Sequence, residues 1–177
     1  NAVGRYFSGT GFNITLDLIS AGNSSMIHLL DSTLPKAINN IRIGEAIYFG
    51  KETSFLQTIP SMHTDAFTLK AKIIECKYKP SFPIGEQGQN SFGELPQIED
   101  MGMMNRAIIN LGRQDVDLSQ ITPLSKQISI IGGSSDHCII NLGHTNLSLG
   151  SNISFSINYP ALLQLMTSSY VRKHIKK

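Results

Sequence analysis

Residues 66–78 read AFTLKAKIIECKY. Phe67, Leu69, Ala71 and Ile73 fall on one side of an extended chain, and Thr68, Lys70 and Lys72 fall on the other. A period of two over this length is a strand with one packed and one wet face, which suits an antiparallel sheet. The consecutive Ile73-Ile74 breaks the alternation, so the pattern predicts a register change there.

Downstream, the same pattern recurs in shorter pieces. Strands are expected at Arg106–Leu111, Gln127–Ile131, His137–Leu142 and Asn152–Asn158, with turns at Gly112, Gly132-Gly133 and Gly143. Residues 79–96 are rich in Gly and Pro and read as a loop. Tyr159-Pro160 opens a short helix, with Pro160 at its first position and Ala161, Leu162, Leu165 and Met166 as its apolar face. Tyr170–Ile175 reads as a last strand.

Upstream the character differs. Phe12 to Ile19 alternates like a strand, and the turn Ser20-Ala21-Gly22-Asn23-Ser24-Ser25 follows it. Ser24 or Ser25 is the expected N-cap of a short helix through Met26, Ile27, Leu29 and Leu30. After a polar loop with Pro35, Ile41-Arg42-Ile43 reads as a short buried strand, and Gly44 to Phe49 as a helical turn stopped by Gly50. Turns that open a helix expose backbone N–H groups and suit an anion such as phosphate. The expected fold class is therefore α+β and strand-rich: an α/β piece over residues 1–55, then a mostly antiparallel β domain over residues 56–177.

Composition narrows the function classes. The chain has 177 residues, 41% hydrophobic and 16% charged, in the range of a globular protein. A net charge of +2 is too small to imply nucleic acid, and the basic tail Arg172–Lys177 has no interleaved aromatics. No run is long enough to span a membrane, and the first residues have no signal-peptide character. The first residue is Asn1 rather than Met, which reads as a segment of a longer protein. Cys76 and Cys138 sit in separate apolar runs without a C-x-x-C pair, and read as buried free thiols of a cytoplasmic protein.

Few constellations carry chemistry by themselves. Gly22-Asn23-Ser24-Ser25 lacks the second glycine of a nucleophile elbow. His28, His63, His137, His144 and His174 show no metal-ligand spacing, so no metal is expected. His137 beside Asp136 is the one acid/base candidate among them. Arg42, between two isoleucines, is either half of a structural ion pair, an exposed edge residue or an arginine aimed at a ligand. Arg113 and Asp115, after Gly112, form either a charged surface turn or a substrate-facing loop. Tyr159 is a packing residue with a wet hydroxyl on its own reading.

Taken together, seven stretches in one order resemble the C-terminal half of the fold-type III pyridoxal-phosphate racemases. The likeness is to the ornithine-racemase-like branch of the alanine racemase superfamily. The stretches are SAGNSS (20–25), LPKAINNIRIGEAIYFG (34–50), DAFTLKAKIIE (65–75), PIGEQGQNSFG (83–93), NLGRQDVD (110–117), GGSSDH (132–137) and NYPALLQLMTSSYV (158–171). The resemblance implies that residues 1–55 are the end of a (β/α)8 barrel and residues 56–177 a C-terminal β domain. It implies a cytoplasmic homodimer with shared active sites, acting on a free amino acid with pyridoxal 5'-phosphate. In the family's pattern Ser24, the backbone N–H groups of Gly44 and Glu45, and the hydroxyl of Tyr159 hold the cofactor's phosphate. Arg42 matches the arginine that hydrogen-bonds the pyridine nitrogen.

Two departures from that pattern stand out. The family's Schiff-base lysine lies upstream of these stretches, and Lys36, Lys70 and Lys72 sit in no matching motif. The chain alone is therefore expected to be inactive. Gly112-Arg113-Gln114-Asp115 stands where the family carries a G-Y-G-D motif, so Arg113 replaces the catalytic tyrosine. The second base is then Asp115, His137 or a group outside the chain, and Arg113 is a candidate either for the substrate carboxylate or for tuning a neighbouring acid. Ser135-Asp136 occupies the family's Met-Asp loop, which lines the partner subunit's site. The rival to a racemase is a non-catalytic β-rich fragment that dimerises or binds a phosphate ligand.

Overall fold

The computed structural model describes residues 16–30, 34–89, 93, 95 and 98–175. The chain divides into two compact units, residues 1–66 and 67–177.

The second unit is built on a six-stranded sheet in the order β3-β6-β1-β2-β5-β4, with every neighbouring pair antiparallel. Its strands are β1 Leu69–Pro80, β2 Met103–Ile109, β3 Ile121–Pro123, β4 Ser129–Gly133, β5 Cys138–Asn141 and β6 Asn152–Ile157. The long strand β1 lies in the middle and serves two partners in turn. Its first part, Leu69 to Lys72, pairs with β6, and the rest, from Ile73, pairs with β2. The register shifts between Ile73 and Glu75, where the double isoleucine predicts it. The extra residue is Ile74, which is exposed, while Leu69, Ala71 and Ile73 are buried. Beyond the bulge Cys76 packs on the core, while Tyr78 and Pro80 are exposed.

That core joins the β1 residues to Ala107 and Ile109 of β2, Cys138 and Ile140 of β5, and Ile153 and Phe155 of β6. The helix α2, Tyr159–Thr167, lays Ala161 and Leu165 onto it. Asn158 caps this helix by accepting from Ala161 N–H at 3.1 Å. Pro160 follows in the first turn, one place later than expected. Met166 is exposed rather than part of the apolar face, because Ala161, Leu162 and Leu165 already cover the buried stripe. Residues 170–175 form no strand. The 3₁₀ turn Leu118–Gln120 and the edge strand β3 had no alternation to announce them.

The first unit is held differently. Among its described residues there is no strand, only two isolated bridges, a parallel one between Ser20 and Asn40 and an antiparallel one between Lys51 and Thr58. The expected strand Phe12–Ile19 lies partly outside the described residues, and its described part, 16–19, is not in a ladder. Ile41–Ile43 is likewise not a strand, and Arg42 is exposed rather than buried. The physical reason is that two short segments facing only each other make at most a marginal pair. The turn after Ser20 leads into a 3₁₀ helix, Ser24–Leu29, whose N-cap is Asn23 rather than either serine. The helix α1 spans Glu45–Phe49, after Gly44 and before Gly50, as its glycines predict. Gly50 has φ 63°, and a Cβ there would lie 2.4 Å from the His63 carbonyl oxygen, so only glycine fits.

Candidate functional site

In the first unit the site is assembled from polar side chains. Asn23 Oδ1 accepts from both the backbone N–H and the hydroxyl of Ser25, at 2.9 and 2.7 Å. This Asx turn points Ser24 inward, where it is 6% exposed. Ser24 Oγ accepts from the N–H groups of Gly44 and Ala46, both at 3.2 Å. Its two lone pairs are thereby engaged, and the hydroxyl hydrogen is left to donate. Beside this turn, Arg42 Nη1 donates to Ser20 Oγ at 2.8 Å. The structure thus brings Ser24, Arg42, Gly44 and Glu45 together around the start of α1. With the Gly44 and Ala46 N–H groups spent on Ser24, the remaining donors are the Ser24 hydroxyl, the Glu45 N–H and the Arg42 guanidinium, which suit an anion with an acceptor atom beyond it. A pyridoxal phosphate fits that chemistry, since phosphate and pyridine nitrogen are both acceptors.

Glu52 completes the same unit and was not named from the sequence. It is 3% exposed, and its carboxylate accepts from the N–H groups of Ser54, Phe55 and Gln57 at 2.8, 2.7 and 3.0 Å. His28 Nδ1 lies 3.8 Å away. Burial alone would raise its pKa, but the three N–H groups and His28 outweigh it and hold the carboxyl below its ordinary value. The signal available in the sequence was weak: an acidic residue opening the turn Glu52-Thr53-Ser54.

In the second unit two loops carry the remaining candidates. Residues 112–117 are laced to 134–137 by Arg113 N–H to Ser134 O at 3.0 Å and Gln114 N–H to Ser135 O at 2.8 Å. A Cβ on Gly112 would lie 2.3 Å from Ser135 O, so this close approach depends on the glycine. The two loops are joined through their backbones, but their candidates line different cavities: Arg113 and Asp115 one of about 420 Å³, His137 one of about 370 Å³ with Ile74, Ile108 and Ile139. The roles of the candidates differ too. Asp115 is buried, and its carboxylate accepts from Gly112 N–H and from Ser168 Oγ, at 3.3 and 3.1 Å. It is engaged in holding its own turn and α2's end. Asp136 is exposed and sits 2.9 Å from His137 Nδ1, with Ser134 Oγ donating to the same oxygen. Partial desolvation pushes the Asp136 carboxyl up, but His137 and these hydrogen bonds carry it below the ordinary value. Arg113 is exposed at the turn, beside a cavity of about 420 Å³ that Gln164, Ser168 and Tyr170 also line. Tyr159 lies in the second unit at the start of α2, half-buried.

Cys138 is buried and its thiol is pushed up to about 12 by that burial, while Cys76 is only half-buried. Neither forms a disulfide. Among the described residues no three His, Cys, Asp or Glu side chains converge as a metal site would need. No described helix is long and apolar enough to cross a membrane.

No family model matches the chain. It is 44% identical over 169 residues to the ornithine racemase of Acetoanaerobium sticklandii, covering 94% of this chain and 48% of that protein. It is 35% identical to the lysine racemase of Thermotoga maritima, covering 92% of this chain and 46% of that one. Among solved structures, alanine racemases from Acinetobacter baumannii and Oenococcus oeni share its fold, each with a TM-score of 0.58. Their identities are 18% and 19%, with 87% and 92% of this chain and 46% of each of theirs covered. The resemblance drawn from the seven stretches is borne out, and so is the strand-rich fold class. The chain spans about half the length of the curated relatives it matches.

Proposed function

We propose that this chain is the C-terminal part of a pyridoxal-phosphate-dependent amino-acid racemase acting on a basic amino acid. The observation that carries the reading is the Ser24 hydroxyl, buried and fixed by Gly44 and Ala46 with its proton free. It sits beside an exposed arginine, in a chain akin to ornithine and lysine racemases.

In this reading the Ser24 hydroxyl and the N–H of Glu45 hold the phosphate, while the Gly44 N–H fixes Ser24. The cofactor, when bound, supplies an electron-withdrawing ring that acidifies the proton at Cα. Arg42 stays charged at any relevant pH, so it donates to the ring nitrogen and disfavours its protonation. That weakens the electron sink and restrains side reactions while proton exchange at Cα proceeds. Residues 1–55 belong to the end of a barrel, and residues 56–177 form the β domain that completes a partner's site in a homodimer. Of the loop residues, His137 is the better base, because Asp136 orients its ring through Nδ1 and leaves Nε2 for a proton. Asp115, with its carboxylate engaged, serves as a support, and Arg113 takes the substrate carboxylate. The lysine that anchors the cofactor comes from upstream of the matched stretches, so the chain alone is inactive.

The test uses the intact protein. It should bind pyridoxal phosphate and abolish the optical rotation of L-ornithine or L-lysine. Ser24→Ala should weaken cofactor binding roughly tenfold, the scale of one charge-assisted hydrogen bond. An intact protein that binds no pyridoxal phosphate and leaves both amino acids optically unchanged would sink the reading.

A further inference from the structure

The first unit has almost no ladder, yet the hydrogen-bond partners along one seam all lie 19 to 22 residues apart. Asn39 Oδ1 accepts from Ile19 N–H at 2.8 Å, and Asn39 Nδ2 donates to the Asp17 carbonyl at 2.7 Å. Ser20 meets Arg42, and Ser24 meets Gly44 and Ala46. Each of these pairs is separated by 20 or 22 residues. The Asn39 carboxamide therefore takes the place of a neighbouring strand, donating and accepting where a backbone would. The backbone adds Asn39 N–H to Ile19 O and Ala21 N–H to Asn40 O, both at 3.1 Å. A slip of this register would move Ser20 away from Arg42 and Ser24 away from α1 together.

Arg42 is exposed, and a free arginine loses considerable rotamer freedom when it is ordered. Ser20 Oγ at 2.8 Å from Nη1 supplies that ordering in advance. One of the guanidinium's five N–H groups is taken, and the others remain to donate.

We propose that Asn39 and Ser20 are positioning residues. The Asn39 clasp sets the register of the seam, and the Ser20 hydroxyl holds the Arg42 guanidinium toward the ring acceptor of the bound cofactor. This rests on the reading of the site as one for pyridoxal phosphate. Neither residue touches the ligand in this scheme.

A chemical double-mutant cycle separates the two ideas. The intact protein, freed of cofactor, is titrated with pyridoxamine 5'-phosphate and with its 1-deaza analogue, which lacks the ring nitrogen. Neither ligand can bond covalently to a lysine. Ser20→Ala should bind pyridoxamine phosphate about three- to tenfold more weakly, the range of one net hydrogen bond. Its affinity for the deaza analogue should stay the same, and Ser20→Thr should restore wild-type behaviour. Asn39→Ala should weaken both ligands alike, because it disturbs Ser24 as well as Arg42. If that variant does not fold, Asn39→Asp keeps the acceptor for Ile19 and loses the donor to Asp17, with the same expected pattern. Equal or absent effects of Ser20→Ala on the two ligands would overturn the role of Ser20 while leaving the site reading intact. A loss confined to the nitrogen-bearing ligand in the Asn39 variants, or no loss, would overturn the clasp. Failure of the wild-type protein to bind either ligand would overturn the site reading and this inference with it.

Discussion

The two units of this chain reach order by opposite means. In the sheet unit the buried residues are chiefly apolar: Ile73, Ile109, Ile140, Ile153 and Phe155 are nearly or wholly out of water. In the first unit the only buried residues among those described are Ser24, Ala46, Gly50 and Glu52. Two of these are polar, and each is satisfied by backbone N–H groups. One unit is held by the hydrophobic effect, which is tolerant of direction. The other is held by hydrogen bonds, which are not. The lesson is that a proposed ligand cradle and its scaffold can be the same polar network. The groups that would face a phosphate are also those that shape the turns.

Changes of three sizes would break or sharpen that contrast. The largest effect is expected in the apolar core. Phe155→Ala removes a wholly buried ring and should cost about 3–5 kcal/mol, seen as a lower urea midpoint for loss of sheet signal. A cost below about 1 kcal/mol would mean that the sheet unit does not rest on its core.

Glu52 comes next, and it tests the polar unit through pH. Its folded-state pKa lies below the ordinary value of 4.5, so its contribution is fully present above that value. It is lost as the pH falls through the lower, folded-state value. Acid unfolding followed between pH 7 and pH 2 should therefore show a stability loss below about 4.5 that Glu52→Gln lacks. Parallel curves for the two proteins would argue that the three N–H groups do not depend on the carboxylate.

The smallest effect is expected at the helix cap of the sheet unit. Asn158→Ala removes the acceptor for Ala161 N–H and should lower stability by about 1 kcal/mol in thermal denaturation. A cost as large as that of Phe155→Ala would show polar side chains sharing the burden in both units.

Legibility in the sequence followed the same division. The alternation in residues 66–78 located β1, and the double isoleucine located its bulge, because a period of two is imposed directly by burial of one face. Gly44 and Gly50 bracketed α1 because a left-handed stop leaves a mark in residue type. The pairs Ser20–Arg42, Asn39–Asp17 and Ser24–Gly44 left no such mark. Each joins residues some 20 apart through ordinary polar side chains, and many other pairings would look as plausible. The same holds for the meeting of residues 112–117 with 134–137, where Gly112 hints at a close approach but not at its partner.

The amino-acid order alone thus determined the elements whose periodicity or glycines report a local conformation, and, through seven stretches held in order, the kinship with racemases. Tertiary structure alone decided which polar groups meet. It turned Asp115 inward, left Arg42 exposed against Ser20, and gave Ser24 two backbone donors. The physical reason is range. Burial periodicity is written in neighbouring residues, whereas a hydrogen bond between distant side chains exists only once the chain has folded back on itself.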